Sequence, residues 1–183
     1  MGLHFTPGEF EERQNQTREQ LAKNQLDGLL MFRQESMYYL AGYDTFGYVF
    51  FQCLYLNADG RMTLLTRAPD LRQALHTSTI RDIRIWVDRP DADPASKLRE
   101  ILEEYGCKGK RLGVEFEAYG LTAASGRRLE AVLGDFCELV DRVVKRMERS
   151  VPGQFRKPPS ASLATSRRLN PPVVSRYSVH FFE

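Results

Sequence analysis

Apolar and polar positions follow two different periods along this chain, and residues 37–66 carry the strongest signal. Tyr48 to Leu56 is almost entirely apolar, with a single Gln among Tyr, Val, Phe, Cys and Leu. Such a run predicts a strand that is covered on both faces in the middle of a sheet. The turn Asn57-Ala58-Asp59-Gly60 and a second apolar run, Met62 to Leu65, come next. They predict a central hairpin, because Gly takes the positive φ that such turns need.

A polar helix is predicted before this hairpin, over residues 8–24. Thr6 precedes it and Glu9 follows three residues later, which is the spacing of a capping box. The apolar stripe of this helix is thin and consists of Phe10, Thr17 and Leu21. We therefore expect the helix to lie on the surface of the fold.

Two short elements connect this helix to the hairpin. Residues 26–32 form an apolar run opened by Asp27-Gly28, which predicts a short buried strand. Gln34 to Ala41 has the composition of one or two helical turns, and Gly42 is placed to end them.

Strands and helices alternate after the hairpin. The predicted elements are a helix over residues 70–75, a strand over 80–87, a helix with Leu98, Ile101, Leu102 and Tyr105, a strand with Leu112, Val114 and Phe116, a helix with Leu129, Val132, Leu133 and Phe136, and a strand over 137–140. In the strand over 80–87, Ile83, Ile85 and Val87 are predicted to form one buried face near a sheet edge. The alternation predicts an α/β fold, and the hairpin makes its sheet mixed and flanked by helices.

The composition changes at about residue 151. Residues 151–183 contain no Asp, and their only acidic residue is Glu183. They also contain two Pro-Pro pairs and show no sustained apolar period. A segment of this kind buries too little apolar surface to offset its ordering entropy. We therefore predict one domain over residues 1–145 and an irregular, partly disordered tail over 146–183.

The net charge, the apolar runs and the cysteines indicate which classes of partner and which cellular compartment to expect. The net charge of +2 is too small to indicate nucleic acid, and no apolar run approaches the ~20 residues of a membrane span. The three cysteines are odd in number and far apart, which is typical of reduced thiols. We expect a cytoplasmic protein that binds neither nucleic acid nor membrane.

The titratable residues of this sequence form no recognisable catalytic motif. The histidines, His4, His76 and His180, do not have the spacing of a metal-binding pair. Glycine-rich phosphate loops and the Gly-x-Ser-x-Gly motif do not occur in the sequence. Glu115 and Glu117 fall on one strand face, and we interpret them as a solvent face or a charge pair. No catalytic residue and no metal ligand is predicted in this chain.

An aromatic turn precedes the central strand. Five aromatic residues gather there within eleven positions around Gly42 and Gly47. They are Tyr38, Tyr39, Tyr43, Phe46 and Tyr48. Such residues either cap the core or form the edge of a ligand site or interface. The candidates for lining a substrate pocket are Tyr43, Asp44, Phe46 and Tyr48.

These residues also resemble a known family, the creatinase, prolidase and aminopeptidase P group of pita-bread hydrolases. The resemblance rests on Leu26-Asp27-Gly28-Leu29-Leu30 and on Met37 to Asp44, MYYLAGYD, which is similar to a YLTGY signature of that family. It continues to about Val140 and implies the N-terminal domain, a mixed sheet with a ribonuclease-H-like motif.

In that family the N-terminal domain is not catalytic. The resemblance implies that chemistry belongs to a C-terminal pita-bread domain, which often binds two divalent metal ions and which this sequence does not contain. It also implies a homodimer, in which the N-terminal domain lines the substrate pocket. A peptidase-like or creatinase-like hydrolase is therefore the expected relative, and no activity is expected of this chain alone.

Two departures from the family pattern affect this expectation. Phe46-Gly47-Tyr48 stands where creatinase-like members have Phe-Gly-Arg, and Tyr removes an anion clamp. The parent is then a peptidase or a hydrolase of a cyclic amino-acid-like compound rather than creatinase proper. After Val143-Val144-Lys145 the tail replaces the expected linker. Either an orphan domain or a truncated gene read out of frame would explain it.

The function predicted from the sequence is therefore that of a non-catalytic domain for dimerisation and substrate-pocket lining. Its partners would be a second copy and a catalytic pita-bread domain. The alternative is a stand-alone module that binds a peptide or protein ligand.

Overall fold

A six-stranded sheet lies between two layers of helices in this computed structural model, which describes residues 3–141. The helices are α1 (Pro7–Lys23), α2 (Gln34–Ala41), α3 (Leu71–Thr77), α4 (Pro94–Glu104) and α5 (Ala123–Leu133). The strands are β1 (Gly28–Met31), β2 (Cys53–Asn57), β3 (Met62–Arg67), β4 (Asp82–Trp86), β5 (Arg111–Val114) and β6 (Glu138–Asp141). Two short 3-10 turns cover Phe46–Val49 and Ala68–Asp70. The predicted α/β fold is confirmed, while the predicted tail over 146–183 lies outside the described residues.

The strand order is β4-β3-β2-β1-β5-β6, and the sheet is mixed as predicted. The neighbours β1 and β2, and β2 and β3, run antiparallel. The other three neighbouring pairs are parallel. Leu30 of β1 lies opposite Tyr55 of β2 and Val114 of β5. The predicted hairpin is therefore β2 and β3, and both of its strands lie inside the sheet.

The start of the central strand differs from the prediction. The apolar run begins at Tyr48, but β2 begins at Cys53. Phe46–Val49 forms a 3-10 turn instead, in which the Gly47 amide donates to the Thr45 hydroxyl at 2.9 Å. Thr45 thus caps a local turn, and this side-chain bond competes with extension of the strand. Composition alone does not distinguish the two because the residues of the turn are apolar as well.

Each face of the sheet carries its own apolar core. On one face, α4 and α5 contribute Leu98, Ile101, Leu102, Leu129 and Leu133 to a cluster with Leu30, Tyr55, Leu65, Leu112 and Val114. On the other face, α1, α2 and α3 contribute Leu21, Met37, Leu40 and Ala74 to a cluster with Leu29, Met31, Leu54, Leu56 and Leu64. Burying one such side chain contributes roughly 1.5–3 kcal/mol, so the two layers together stabilise the sheet. The cysteines Cys53, Cys107 and Cys137 are all buried and free.

The edge strand β4 is only partly covered, which corrects the prediction of one buried apolar face. Ile83 packs against the cluster that contains Ala74 of α3. Ile85 and Val87 remain 42% and 47% exposed. Trp86 points to the opposite face, where its indole N–H donates to the Phe51 carbonyl at 3.0 Å. The short helix α3 buries the beginning of this face and leaves its end open.

The helix ends follow the sequence signals. Thr6 and Glu9 form the predicted capping box at the start of α1, with Pro7 in the first turn. Gly42 ends α2 at φ 75°, a conformation that favours glycine. Among residues 3–141, no helix combines the length and the apolarity needed to cross a membrane.

Candidate functional site

The 3-10 turn Phe46–Val49 is fastened to the fold through Asp70. The Thr45 hydroxyl donates to Asp70 at 2.9 Å, and Arg67 forms an ion pair with the same carboxylate at 3.2 Å. The Arg67 guanidinium also lies 3.3 Å from the centroid of the Phe50 ring. A Cβ atom at Gly47 would come within 2.5 Å of both Asp70 carboxylate oxygens. The turn is therefore held through Asp70, and any side chain at position 47 would displace the Asp70 carboxylate from its bonds to Thr45 and Arg67.

The structure separates the four sequence-predicted site residues. Tyr43 is fully buried, and its hydroxyl donates to Gln52 at 2.9 Å and lies 3.0 Å from the Thr66 hydroxyl. Burial raises the pKa of Tyr43 to about 12. Asp44 is exposed, and its amide donates to the Thr77 hydroxyl at 3.2 Å. Tyr43 is thus a core residue whose hydroxyl is already bonded.

Phe46 and Tyr48 lie on the surface. The Phe46 side chain is 88% exposed and the Tyr48 side chain 41% exposed. The Tyr48 ring packs edge-on against Tyr119 with 6.0 Å between the ring centroids. Tyr48 is thereby joined to a loop that sequence reasoning did not connect with it.

This contact closes one side of a groove with a volume of about 410 Å³. Its lining residues are Phe32, Arg33, Gln34, Glu35, Tyr48, Phe116, Glu117, Ala118 and Tyr119. Residues 32–35 follow β1, and residues 116–119 follow β5, which lies beside β1 in parallel. The groove therefore lies outside the carboxyl ends of two parallel strands, a common position for ligand sites in α/β folds.

Glu115 is hydrogen-bonded to the backbone of two residues that line this groove, which corrects its interpretation as part of a solvent face or a charge pair. Its side chain is 1% exposed. Its carboxylate accepts hydrogen bonds from the Phe32 amide at 3.2 Å, the Arg33 amide at 3.1 Å and the Ser36 hydroxyl at 2.6 Å. Burial raises the pKa of Glu115 to about 7, although the Ser36 hydroxyl and the backbone donors lower it. The start of α2 has no side-chain cap of its own, so Glu115, the residue after β5, supplies the acceptor for the Arg33 amide.

Sequence reasoning missed Glu115 because strand periodicity was extended past the end of β5. The strand ends at Val114, and the next residue turns inward beneath α2. The available signal was a lone acidic residue between Val114 and Phe116, in an otherwise apolar run.

Gln34 is the other polar residue held in place at the groove. Its amide nitrogen donates to the Tyr43 carbonyl at 2.8 Å. Its amide oxygen is buried and has no hydrogen-bond donor within the described part of the chain. Buried polar atoms are rarely left in this state, so this oxygen lacks the donor that such an atom usually has.

A second cavity, of about 430 Å³, lies where the first turns of α4 and α5 meet. Asp93 caps α4 by accepting from the Ser96 amide at 3.2 Å, and it pairs with Arg128 of α5. This hydrogen-bonded pair lowers the pKa of Asp93 to about 2. Because each charge is satisfied by the other, we assign the pair to helix capping and helix packing.

Within residues 3–141, no three His, Cys, Asp or Glu side chains come close enough together to hold a metal ion.

Comparison with known proteins matches most of the described chain to a single family of domains. The family model of the Creatinase/Prolidase N-terminal domain matches residues 13–147. An uncharacterized hydrolase/peptidase of Sinorhizobium fredii is 27% identical over 138 residues, which cover 72% of this chain and 35% of that protein. The ectoine hydrolase of Halomonas elongata is 28% identical over 130 residues, 67% of this chain and 33% of that protein. The chain thus spans about a third of the length of these curated relatives.

A solved structure supports the same fold. The N-terminal domain of an Xaa-Pro dipeptidase from Lactobacillus brevis superposes with a TM-score of 0.58 at 13% sequence identity. The match covers 70% of this chain and 90% of that domain. At this identity the likeness establishes the fold alone.

Proposed function

This chain belongs to the creatinase/prolidase N-terminal domain family, and we propose that it is the non-catalytic partner of a pita-bread hydrolase domain. It would line the substrate pocket of that catalytic domain and mediate homodimerisation. One observation carries the proposal. The matched region fills 90% of a separately solved N-terminal domain but only about a third of the curated hydrolases.

The groove supports the role in pocket lining. It opens beside the aromatic turn, and its walls come from loops that Glu115 and Asp70 hold in place. Pre-organised loops on a rigid sheet lower the entropic cost of gripping a substrate. The two divalent metal ions of the reaction would belong to the catalytic domain, where they would polarise the scissile bond.

The substrate class follows from the named relatives. These include an Xaa-Pro dipeptidase and an ectoine hydrolase, both of which are hydrolases. With Tyr48 in place of the arginine of creatinase-like members, the groove lacks a bidentate clamp for a carboxylate at this position. A dipeptide or a cyclic amino-acid-like compound is therefore the proposed substrate rather than creatine.

The exposed apolar side chains of the 3-10 turn and of Phe50, which follows it, support the role in assembly. Phe46, Val49 and Phe50 are large apolar side chains on the surface, presented by a turn that the Asp70 contacts hold. Rigid apolar surfaces of this kind are typical of protein interfaces. We place the dimer in the cytoplasm, since the three buried cysteines are free thiols.

A stand-alone peptide-binding module is the second candidate. It is favoured by the groove, which exposed aromatic side chains of Tyr48 and Tyr119 line beside the charged side chains of Glu35 and Glu117.

A domain exchange tests the first proposal. The N-terminal domain of the Sinorhizobium fredii relative is replaced by this chain, and hydrolysis of Xaa-Pro dipeptides is measured with added Mn²⁺. We expect the chimera to hydrolyse a dipeptide that neither this chain nor the isolated catalytic domain hydrolyses. Chelator-sensitive hydrolysis by this chain alone would overturn the proposal. A folded but inactive chimera, together with tight peptide binding by this chain alone, would favour the second candidate.

A further inference from the structure

We propose that the groove between the aromatic turn and residues 116–119 is a binding site for a small organic cation, of the alkylammonium or amidinium type. The inference rests on the proposed pocket-lining role and specifies the chemistry of the group that the groove grips.

The first argument is the aromatic wall. Tyr48 and Tyr119 meet edge to face at an interplanar angle of 76°, and Phe116 forms part of the same lining. Aromatic faces attract cations through the ring quadrupole, and they also cover the apolar body of an organic cation.

The second argument is the charge of the groove. Glu35 and Glu117 bring two carboxylates to the lining, against one guanidinium from Arg33. None of the three takes part in an ion pair with another residue of the described chain. The balance of charge is negative, and it favours a cation over an anion.

The third argument is the free acceptor on Gln34. Its amide orientation is fixed by the bond from its nitrogen to the Tyr43 carbonyl, so its oxygen cannot exchange places with its nitrogen without losing that bond. The buried oxygen has no donor from residues 3–141. An ammonium or amidinium group carries several N–H donors and can supply one, whereas a carboxylate cannot.

Three independent features therefore agree on the same ligand chemistry. The volume of about 410 Å³ lies near the lower end of the range for small-molecule sites, which limits the ligand to a short group. A primary amine, an amidine ring or the cationic end of a peptide has this size.

A matched set of probes tests the inference on the full chain. The amides of residues 33–35 and 116–119 are followed by NMR during titration with n-butylammonium, 1-butanol and butyrate at constant ionic strength. We expect n-butylammonium to shift these amides, with an affinity at least about fivefold higher than that of either other probe. Equal shifts with 1-butanol would reduce the site to an apolar cleft, and stronger binding of butyrate would reverse its charge preference. Either result, or no shift with n-butylammonium, overturns the proposal.

Variants identify the groups responsible. Glu35→Gln and Glu117→Gln should each weaken n-butylammonium roughly two- to fivefold, since each removes one partly exposed charge. Glu100→Gln, on α4 in an ion pair with Lys97, is the control and should leave the affinity unchanged. Equal effects of all three variants would indicate a non-specific charge effect and overturn the assignment. Failure here leaves the domain-exchange assay unaffected, so the two proposals fail separately.

Discussion

The Ser36 hydroxyl donates a 2.6 Å hydrogen bond to the carboxylate of Glu115, which lies 79 residues away along the chain. This bond joins the first turn of α2 to the residue that follows β5. The same carboxylate accepts from two backbone amides that precede α2. One buried acid thus positions both loops that line the candidate site.

The buried acid makes stability depend on pH in a defined direction. The pKa of Glu115 is raised from 4.5 to about 7 by burial, so the folded state keeps its proton where the unfolded chain has lost it. The contribution of Glu115 to the free energy of unfolding is fully present below pH 4.5 and is lost as the pH rises through about 7. Since one pKa unit corresponds to about 1.4 kcal/mol, the loss is roughly 3 kcal/mol.

Urea unfolding from pH 4.5 to 8 measures this loss when the variant Glu115→Gln is the reference. The other carboxylates titrate in both proteins, so they cancel in the difference between the two free energies of unfolding. We expect the advantage of the wild type over the variant to shrink as pH rises. A difference that stays constant or grows with pH would contradict the assignment.

Gly120 fixes the distance between Phe50, which follows the 3-10 turn, and residues 116–119, which line the groove. A Cβ atom there would come within 2.4 Å of the Phe50 carbonyl oxygen, which belongs to the backbone and cannot rotate away. Gly120→Ala should therefore lower the free energy of unfolding by about 1–3 kcal/mol. Gly126→Ala is the control, since its Cβ atom meets nothing within 4 Å and lies inside α5. It should stabilise the domain by about 0.5–1 kcal/mol, and equal effects of both changes would refute the packing argument.

Tyr43 and Tyr48 should respond differently to loss of the hydroxyl group. Tyr43→Phe leaves the buried Gln52 and Thr66 side chains without their shared partner and should cost about 1 kcal/mol of stability. Tyr48→Phe changes an exposed ring, and its effect should stay within about 0.5 kcal/mol. Thermal or urea unfolding of both variants checks this. A larger loss from Tyr48→Phe would place the wrong tyrosine in the core.

Phe46 tests the proposed interface. Phe46→Ser should leave stability within about 0.5 kcal/mol of the wild type, because the side chain is almost fully exposed. It should raise the dimer dissociation constant about fivefold or more, as an exposed aromatic anchor would. Light scattering across a concentration series measures this, with the exposed Leu75 of α3 changed to Ser as the control. An equal shift with both variants, or a wild-type monomer throughout, would refute the interface.

Local chemistry explains why most elements were predictable. The capping box at Thr6, the glycine at position 42 and the turn that ends at Gly60 each have a short-range cause, and the structure confirms all three. Boundaries that depend on distant residues were not predictable. The turn before β2 depends on Asp70, which accepts a hydrogen bond from Thr45 and lies against Gly47.

The candidate site was predictable only in part, for the same reason. Tyr48 was a candidate because of its polar tip and its neighbouring glycine, and it lies at a groove whose role in substrate binding stays a prediction. Tyr43 has the same chemistry in sequence, yet its hydroxyl meets Gln52 and Thr66 in the core. Whether a tyrosine is buried depends on which distant groups can accept its hydrogen bond. The residues that flank it in the sequence do not show which groups those are.

The α/β class and the central hairpin were predictable from the sequence alone, since periodicity, turn residues and caps act over a few positions. The family resemblance rests instead on the motifs at residues 26–30 and 37–44. The tertiary structure is needed to show that Glu115 is buried, that Tyr48 meets Tyr119, and that the Gln34 amide oxygen has no donor among residues 3–141. These relationships join residues on different strands and loops. They exist only once the parallel pairing of β1 and β5 brings the ends of both strands together.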